Sequence, residues 1–309
     1  MTTESLRRTP AELGLPDAPV EARPADPAIH HVRAKLDREI RALLAHEPGT
    51  RSGADPEDLH QMRVALRRMR SVLKLSGKLV GDGAEPVRAE LGWLGQSLGE
   101  VRDYDVLIGH LREVIADFEV RDQAPGRRLV SVFVSERANA KRRLTRALSS
   151  ARYSTLLREV SLLTRASAEV ADEPHDLITG LAKPHRKLAK AVRALPADPP
   201  DDDLHALRIH GKKLRYAAEL AQTSAKKKQA AKIKTLLKAT KDFQTVLGDH
   251  QDAVLAAERL RTVLESADGP MGFVAGRIAE RELARRAAAR AVWRDSWAAV
   301  DTAARALHA

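Results

Sequence analysis

Two stretches of the chain are near-copies of one another, and this repeat constrains the fold more than any other feature. "LHQMRVALRRMR" begins at Leu59 and "LHALRIHGKKLRYAAEL" at Leu204. Superposing them pairs His60 with His205, Arg63 with Arg208, Arg67 with Lys212 and Arg70 with Arg215, all at one offset of 145 residues. A second echo follows each copy, "SLGEVRDYDVL" from Ser97 and "VLGDHQDAVL" from Val246, pairing Leu98, Gly99 and Asp103 with Leu247, Gly248 and Asp252 at an offset of 149. The two offsets differ by about one helical turn, so each half is expected to build the same helical unit with a small insertion. Each copy also follows an acidic turn, "ADPED" or "DPPDDD", which suits a helix N-terminus by capping it and complementing its dipole.

The spacing between copies reads as helix throughout. Aromatic residues are only 3% of the chain, and Ala, Leu, Arg, Glu and Lys dominate it, the composition of long helices rather than of sheets. Breakers stand at Pro48-Gly49, Gly81-Asp82-Gly83, Pro125-Gly126, Pro174, Pro196 to Pro200 and Gly269-Pro270, with helical periodicity between them. Residues 1–26 carry four prolines without periodicity and read as a flexible lead-in. The expected architecture is all-α over residues 27–306, in a first half of about 27–150 and a second of about 151–306.

At ~100° per residue, His60, Arg63, Arg67, Arg70 and Lys74 fall in one sector of a helix, beside an apolar sector of Leu59, Met62, Leu66, Met69 and Leu73. The pattern returns as His205, Arg208, Lys212 and Arg215 beside Leu204, Leu207, Leu214 and Ala218. An ordinary solvated face mixes acids and bases three or four residues apart, yet the first cationic sector holds no carboxylate over four turns. Like charges so placed repel, and a polyanion or an acidic surface would relieve them. Lys234, Lys238 and Lys241 extend the basic character, and Lys183, Lys187 and Lys190 and then Arg277, Arg281 and Arg285 form rows of the same kind. Arginine forks suit bidentate phosphate contacts, while lysines tolerate any register along a repeating polymer. His60 and His205 stand in first helical turns, where the dipole disfavours imidazolium, and so read as neutral donors to phosphate oxygen. Asp103 and Asp252 read as structural partners for arginines or helix ends.

Charge and composition narrow the function. With 53 Lys and Arg against 42 Asp and Glu, the net charge of +11 points to a polyanionic partner. No cysteine is present, which excludes disulfides, thiolate metal sites and thiol nucleophiles. P-loop, HExxH and GxSxG motifs and paired acidic metal motifs are absent, so no catalytic residue, metal site or cofactor is expected. Neither a signal peptide nor an apolar run of membrane-spanning length stands out, and a cytoplasmic location is the expectation.

The four recurring segments, in this order, resemble the CHAD family, the conserved histidine α-helical domain, over about residues 28–305. "GFVAGRIAERE" from Gly272 is similar to the family's last helix. The resemblance implies two four-helix subdomains related by a pseudo-twofold axis, with basic faces around a central cavity that binds inorganic polyphosphate. On matching positions it implies a binding set of His60, Arg63, Arg67, Arg70, His205, Arg208, Lys212 and Arg215, supported by Lys74, Lys213 and Lys241, beside the row Lys234 and Lys238. The lead-in is too short for the CYTH triphosphatase domain that often precedes the family's domains, so catalysis would fall to a separate protein. The expected function is a polyphosphate-binding or targeting module. The alternatives are a nucleic-acid-binding helical protein, less favoured for want of stacking aromatics, and a scaffold on polyphosphate or polyester storage granules, for which Trp293 and Trp297 on an amphipathic C-terminal helix are the motive.

Overall fold

The structure, a computed structural model, describes residues 8–165 and 176–308. Among them are nine α-helices and no strand: α1 Ala28–Ser52, α2 Pro56–Val80, α3 Ala84–Ala116, α4 Val120–Leu148, α5 Ala151–Arg165, α6 Ala182–Arg193, α7 Asp201–Ser224, α8 Lys227–Leu264 and α9 Gly269–His308. Short 3-10 turns occupy Ala11–Leu13 and Thr179–Leu181. The all-α fold expected from composition and periodicity is the fold observed.

Local sequence explains where the helices start and stop. At α2, the Asp55 carboxylate accepts from the Glu57 N–H at 2.7 Å and Pro56 takes the first helical position, where no N–H is needed. Helix α1 ends at Gly53, whose φ of 73° is open to glycine, with its N–H donated back to the Gly49 carbonyl at 2.8 Å.

The breakers at Gly81-Asp82-Gly83, Pro196 to Pro200 and Gly269-Pro270 fall at helix ends, whereas Pro174 lies outside the described residues. Pro48-Gly49 and Pro125-Gly126 are not breaks, because α1 and α4 run through them. Each proline stands near one end of its helix, where it forfeits one backbone hydrogen bond. The two glycines serve close approach instead of reversal. A Cβ at Gly49 would overlap the Asp58 carboxylate, and one at Gly126 would stand 2.7 Å from Ile115 Cγ2.

Residues 8–26 are not a free lead-in. Leu13 and Leu15 are buried, Ser161 Oγ donates to the Leu13 carbonyl at 2.7 Å, and the Val20 N–H donates to Asp37 at 3.0 Å. Arg8 reaches Ser154 at 2.9 Å and lies over the Tyr153 ring. The prolines and the lack of helical periodicity hid this, because the strap is held by polar contacts and by two leucines too few to register as a pattern.

The fold divides into two compact units, each drawing on three stretches of chain rather than on one continuous half. The first takes the described residues through Asp103, those of Arg137–Gly180, and Glu219–Lys226. In it α1 packs along α2 and against α5, burying Leu36, Ile40, Met62, Leu66 and Leu98. Its interior acids are tied down: Glu47 accepts from the Tyr153 hydroxyl at 2.9 Å and from Arg51 Nε at 2.8 Å. The second takes Tyr104–Glu136, Leu181–Ala218 and the described residues from Lys227 onward. There α8 lies along α9, α6 rests on α9, and Leu111, Leu129, Leu260, Val274 and Ile278 share one core. Its buried Glu282 is held by His110 Nε2 at 2.5 Å and Arg285 Nη1 at 2.7 Å.

Leu15→Ala tests the strap. Removing a buried leucine costs about 2–5 kcal/mol, so the urea midpoint should fall clearly below wild type, while an unchanged midpoint would return residues 8–26 to a detached leader.

Candidate functional site

The first basic row rides on α2. Leu59, Met62, Leu66, Met69 and Leu73 are each at most 3% exposed, while His60, Arg63, Arg67 and Arg70 are half-buried beside them and Lys74 is exposed. The arginines can sink this far because the facing side of α3 is bare. Gly92, Gly95 and Gly99 follow the spacing i, i+3, i+7 and form one stripe of backbone without side chains. A Cβ at Gly92 would stand 3.3 Å from Arg70 Nη2, one at Gly99 3.6 Å from Arg63 Nη2, and one at Gly95 3.0 Å from Leu66 Cδ2. Arg63 completes its seat with Asp103, donating from Nη1 at 3.0 Å, which is the partner role expected of that aspartate.

The next two arginines lack such a partner. Among the described residues no carboxylate comes within ion-pair distance of Arg67 or Arg70, and the Nε of each is shielded without a hydrogen-bond acceptor. Burial, reinforced by Arg88, holds the Arg70 guanidinium below its ordinary pKa. His60 is likewise pushed below its ordinary 6.5, first by burial and then by the charge of Arg102, with Glu57 opposing and Arg67 and Arg63 adding to the effect. The ring is thus held neutral inside a cationic patch, as its helix position implied.

In the second unit α7 and α8 repeat part of this arrangement, with Gly248 in the place of Gly99 but Lys241 and Gln244 where the first unit has Gly92 and Gly95. His205 Nδ1 pairs with the Gln251 side chain at 2.6 Å, Arg208 lies against Gly248, where a Cβ would meet its Nε at 3.8 Å, and Arg215 Nη1 donates to Gln244 Oε1 at 3.2 Å. Lys212 and Lys213 are half-buried on the same helix. Gly211, which replaces Leu66 of the first copy, lets α7 approach Phe243, since a Cβ there would stand 3.0 Å from the ring. On α8, Lys241 stands one turn before Gln244, and Lys238 and Lys234 continue along its exposed side without joining the seat.

Several contributors escape a reading of charge alone. Arg102, Gln244 and Gln251 shape the histidine and arginine environments, and the glycine stripe of α3 creates the seat. The glycine spacing is the one signal that would have found it. No helix among the described residues is long and apolar enough to cross a membrane. Among the same residues no three His, Asp or Glu side chains cluster as a metal would require.

Two measurements test this geometry. Because the folded ring of His60 binds a proton more weakly than the unfolded chain, it contributes stability that is full above about pH 6.5 and is lost as pH falls below that value. His60→Gln should flatten part of that acid loss, leaving the portion due to His31 and His250, whose pKa values burial also lowers. An unaltered pH profile would place the ring in solvent. Gly92→Leu should unseat Arg70 and raise its mobility in guanidinium NMR spectra, with a stability cost of about 1–3 kcal/mol for overpacking. An Arg70 signal as rigid as in wild type would contradict the seat.

The sequence matches the CHAD domain family over residues 15–261, beginning within the strap and ending within α8. Two uncharacterized proteins from two strains of Mycobacterium tuberculosis are 30% identical over 282 residues, 87% of this chain and 51% of theirs, so the chain spans about half the length of those relatives. Among solved structures, the crystal structure of the CHAD domain from the plant Ricinus communis superposes with a TM-score of 0.68 at 25% identity, covering 94% of this chain and 95% of that one. PptA from Streptomyces chartreusis gives 0.69 at 19% identity over 88% and 99%, a likeness of fold. A family match across most of the chain, with the same helical fold in both solved structures, places this protein in the CHAD domain family.

Proposed function

We propose that this chain binds inorganic polyphosphate through the basic rows of α2 and α7, acting as a binding or targeting module that catalyses no reaction. The observation that carries this reading is the pair Arg67 and Arg70. Both are half-buried, Arg70 against the Gly92 backbone of α3, and no carboxylate partner stands within ion-pair distance among the described residues. Arginines held so are costly to leave unanswered and gain most from an anion with several acceptor oxygens. Phosphate repeats supply such oxygens at every step of a chain. Lys74 in one unit, and Lys234, Lys238 and Lys241 in the other, are exposed point charges that can meet phosphate without a fixed register. Nucleic acid offers phosphates too, but its bases would find no stacking platform beside these rows. The reading extends to a cytoplasmic protein that gathers at polyphosphate-rich granules.

The test is a titration of fluorescent long-chain polyphosphate into wild type and into Arg67→Ala/Arg70→Ala, with circular dichroism confirming helix content and duplex DNA as competitor. Wild type should bind in a salt-dependent manner and more tightly as chain length grows, and the double variant should bind at least about tenfold more weakly, a loss of about 1.4 kcal/mol. Displacement by DNA at equal phosphate concentration, or an unchanged double variant, would overturn the assignment.

A further inference from the structure

Helix α6 contains no acidic residue. Lys183, Arg186, Lys187, Lys190 and Arg193 are exposed along it, and none has a carboxylate within ion-pair distance among the described residues. Its apolar side, Pro184, Leu188, Ala189 and Val192, is buried, so the helix is fixed rather than free to turn its charges elsewhere. Five cations on three turns repel one another, and nothing on their own helix offsets them.

Beside them α6 and α9 border an open groove of about 510 Å³, within the range of small-ligand sites. Ala189 forms part of its floor, and Arg186, Arg193, Arg305, His185 and Asp301 line it. Asp301 is taken on both oxygens, by His185 Nε2 at 2.8 Å and by Arg305 Nε at 2.8 Å, so its charge is already answered. The bond to Asp301 and the Trp297 ring, 6.1 Å away and 26° from parallel, fix the imidazole as a wall. Arg186 and Arg193 stand two turns apart on one face with Ala189 between them, so their long side chains can converge over that methyl.

We propose that the α6–α9 groove is a second anion site, built for the phosphoryl group of a phosphate monoester whose apolar body lies over Ala189 and the His185 ring. Two guanidinium forks match a group with three terminal oxygens better than a carboxylate with two. The small floor and the aromatic wall favour an organic body over bare phosphate. The site uses a different helix pair from the α7 row and does not depend on the polyphosphate reading. A soluble monoester and a phosphatidic acid headgroup present the same chemistry.

Calorimetric titration of the full chain with phenyl phosphate and with inorganic phosphate tests this, alongside co-sedimentation with phosphatidylcholine vesicles with and without phosphatidic acid. The variants are Arg186→Ala/Arg193→Ala, exposed on a helix surface, and Lys227→Ala/Lys228→Ala, exposed lysines outside both sites, as the control. Phenyl phosphate should bind saturably and more tightly than inorganic phosphate, at least about tenfold more weakly in the Arg186/Arg193 variant, and unchanged in the control. Phosphatidic acid-dependent sedimentation that is lost in the Arg186/Arg193 variant would make the source a lipid, and saturable phenyl phosphate binding without it would make the source a soluble monoester. Neither phenyl phosphate binding nor phosphatidic acid-dependent sedimentation, affinity equal for inorganic phosphate, or indifference to the Arg186/Arg193 change would overturn the proposal.

Discussion

A guanidinium can be half-buried against a helix only where that helix offers no side chain in the way. Helix α2 must present an apolar stripe to its own unit and a cationic stripe beside it, and the two are too close on the wheel for the arginines to remain wholly in water. The bare backbone at Gly92, Gly95 and Gly99 resolves the conflict: Leu66 packs where a Cβ at Gly95 would crowd it, and Arg63 and Arg70 lie flat where side chains would otherwise stand. Glycine is unfavourable in a helix interior by about 0.5–1 kcal/mol relative to alanine, so three on one stripe are a standing cost that close packing must offset.

The distribution of acids follows from the same economy of space. Glu47, Glu282 and Asp201 are each claimed by two or more partners, Asp201 by His250 at 3.0 Å and by Arg286 and Arg290 at 2.9 Å each. These carboxylates tie one helix to another inside a unit, and removing any single partner would loosen that tie.

Much of this was legible before any coordinates. The wheel of α2 separated Leu59, Met62, Leu66, Met69 and Leu73 from the basic sector, and burial divides them in the same way. The aspartate of the first echo also took an arginine, as its position after the repeat suggested. What escaped were features that depend on a neighbour. Pro48 and Pro125 look like breaks in one dimension, but a proline near a helix end forfeits only one hydrogen bond, and Gly49 and Gly126 answer to Asp58 and Ile115 rather than to their own chain direction. The strap at residues 8–26 is held by the Leu13 carbonyl, the Val20 N–H and two leucines, none of which has a periodic signature. The seat for Arg63 and Arg70 is created by residues with no side chain, and a reading that follows charge passes over them.

The two basic helices α2 and α6 differ in a way that follows from their neighbours. On α2 the cations are mainly arginines sunk against α3, so their forks are oriented before any ligand arrives and less rotamer entropy remains to be lost. On α6 the lysines stand in solvent and only Arg186 and Arg193 reach the groove, where a fixed imidazole and a small methyl floor define a shape. Preorientation without enclosure suits a long polymer that can slide, because every repeat offers the same oxygens to the same forks. An open groove with few forks and a fixed wall suits a small anion with a body to recognise. Both arrangements draw on one surplus of positive charge, and what separates them is whether the facing helix supplies bare backbone or a walled groove.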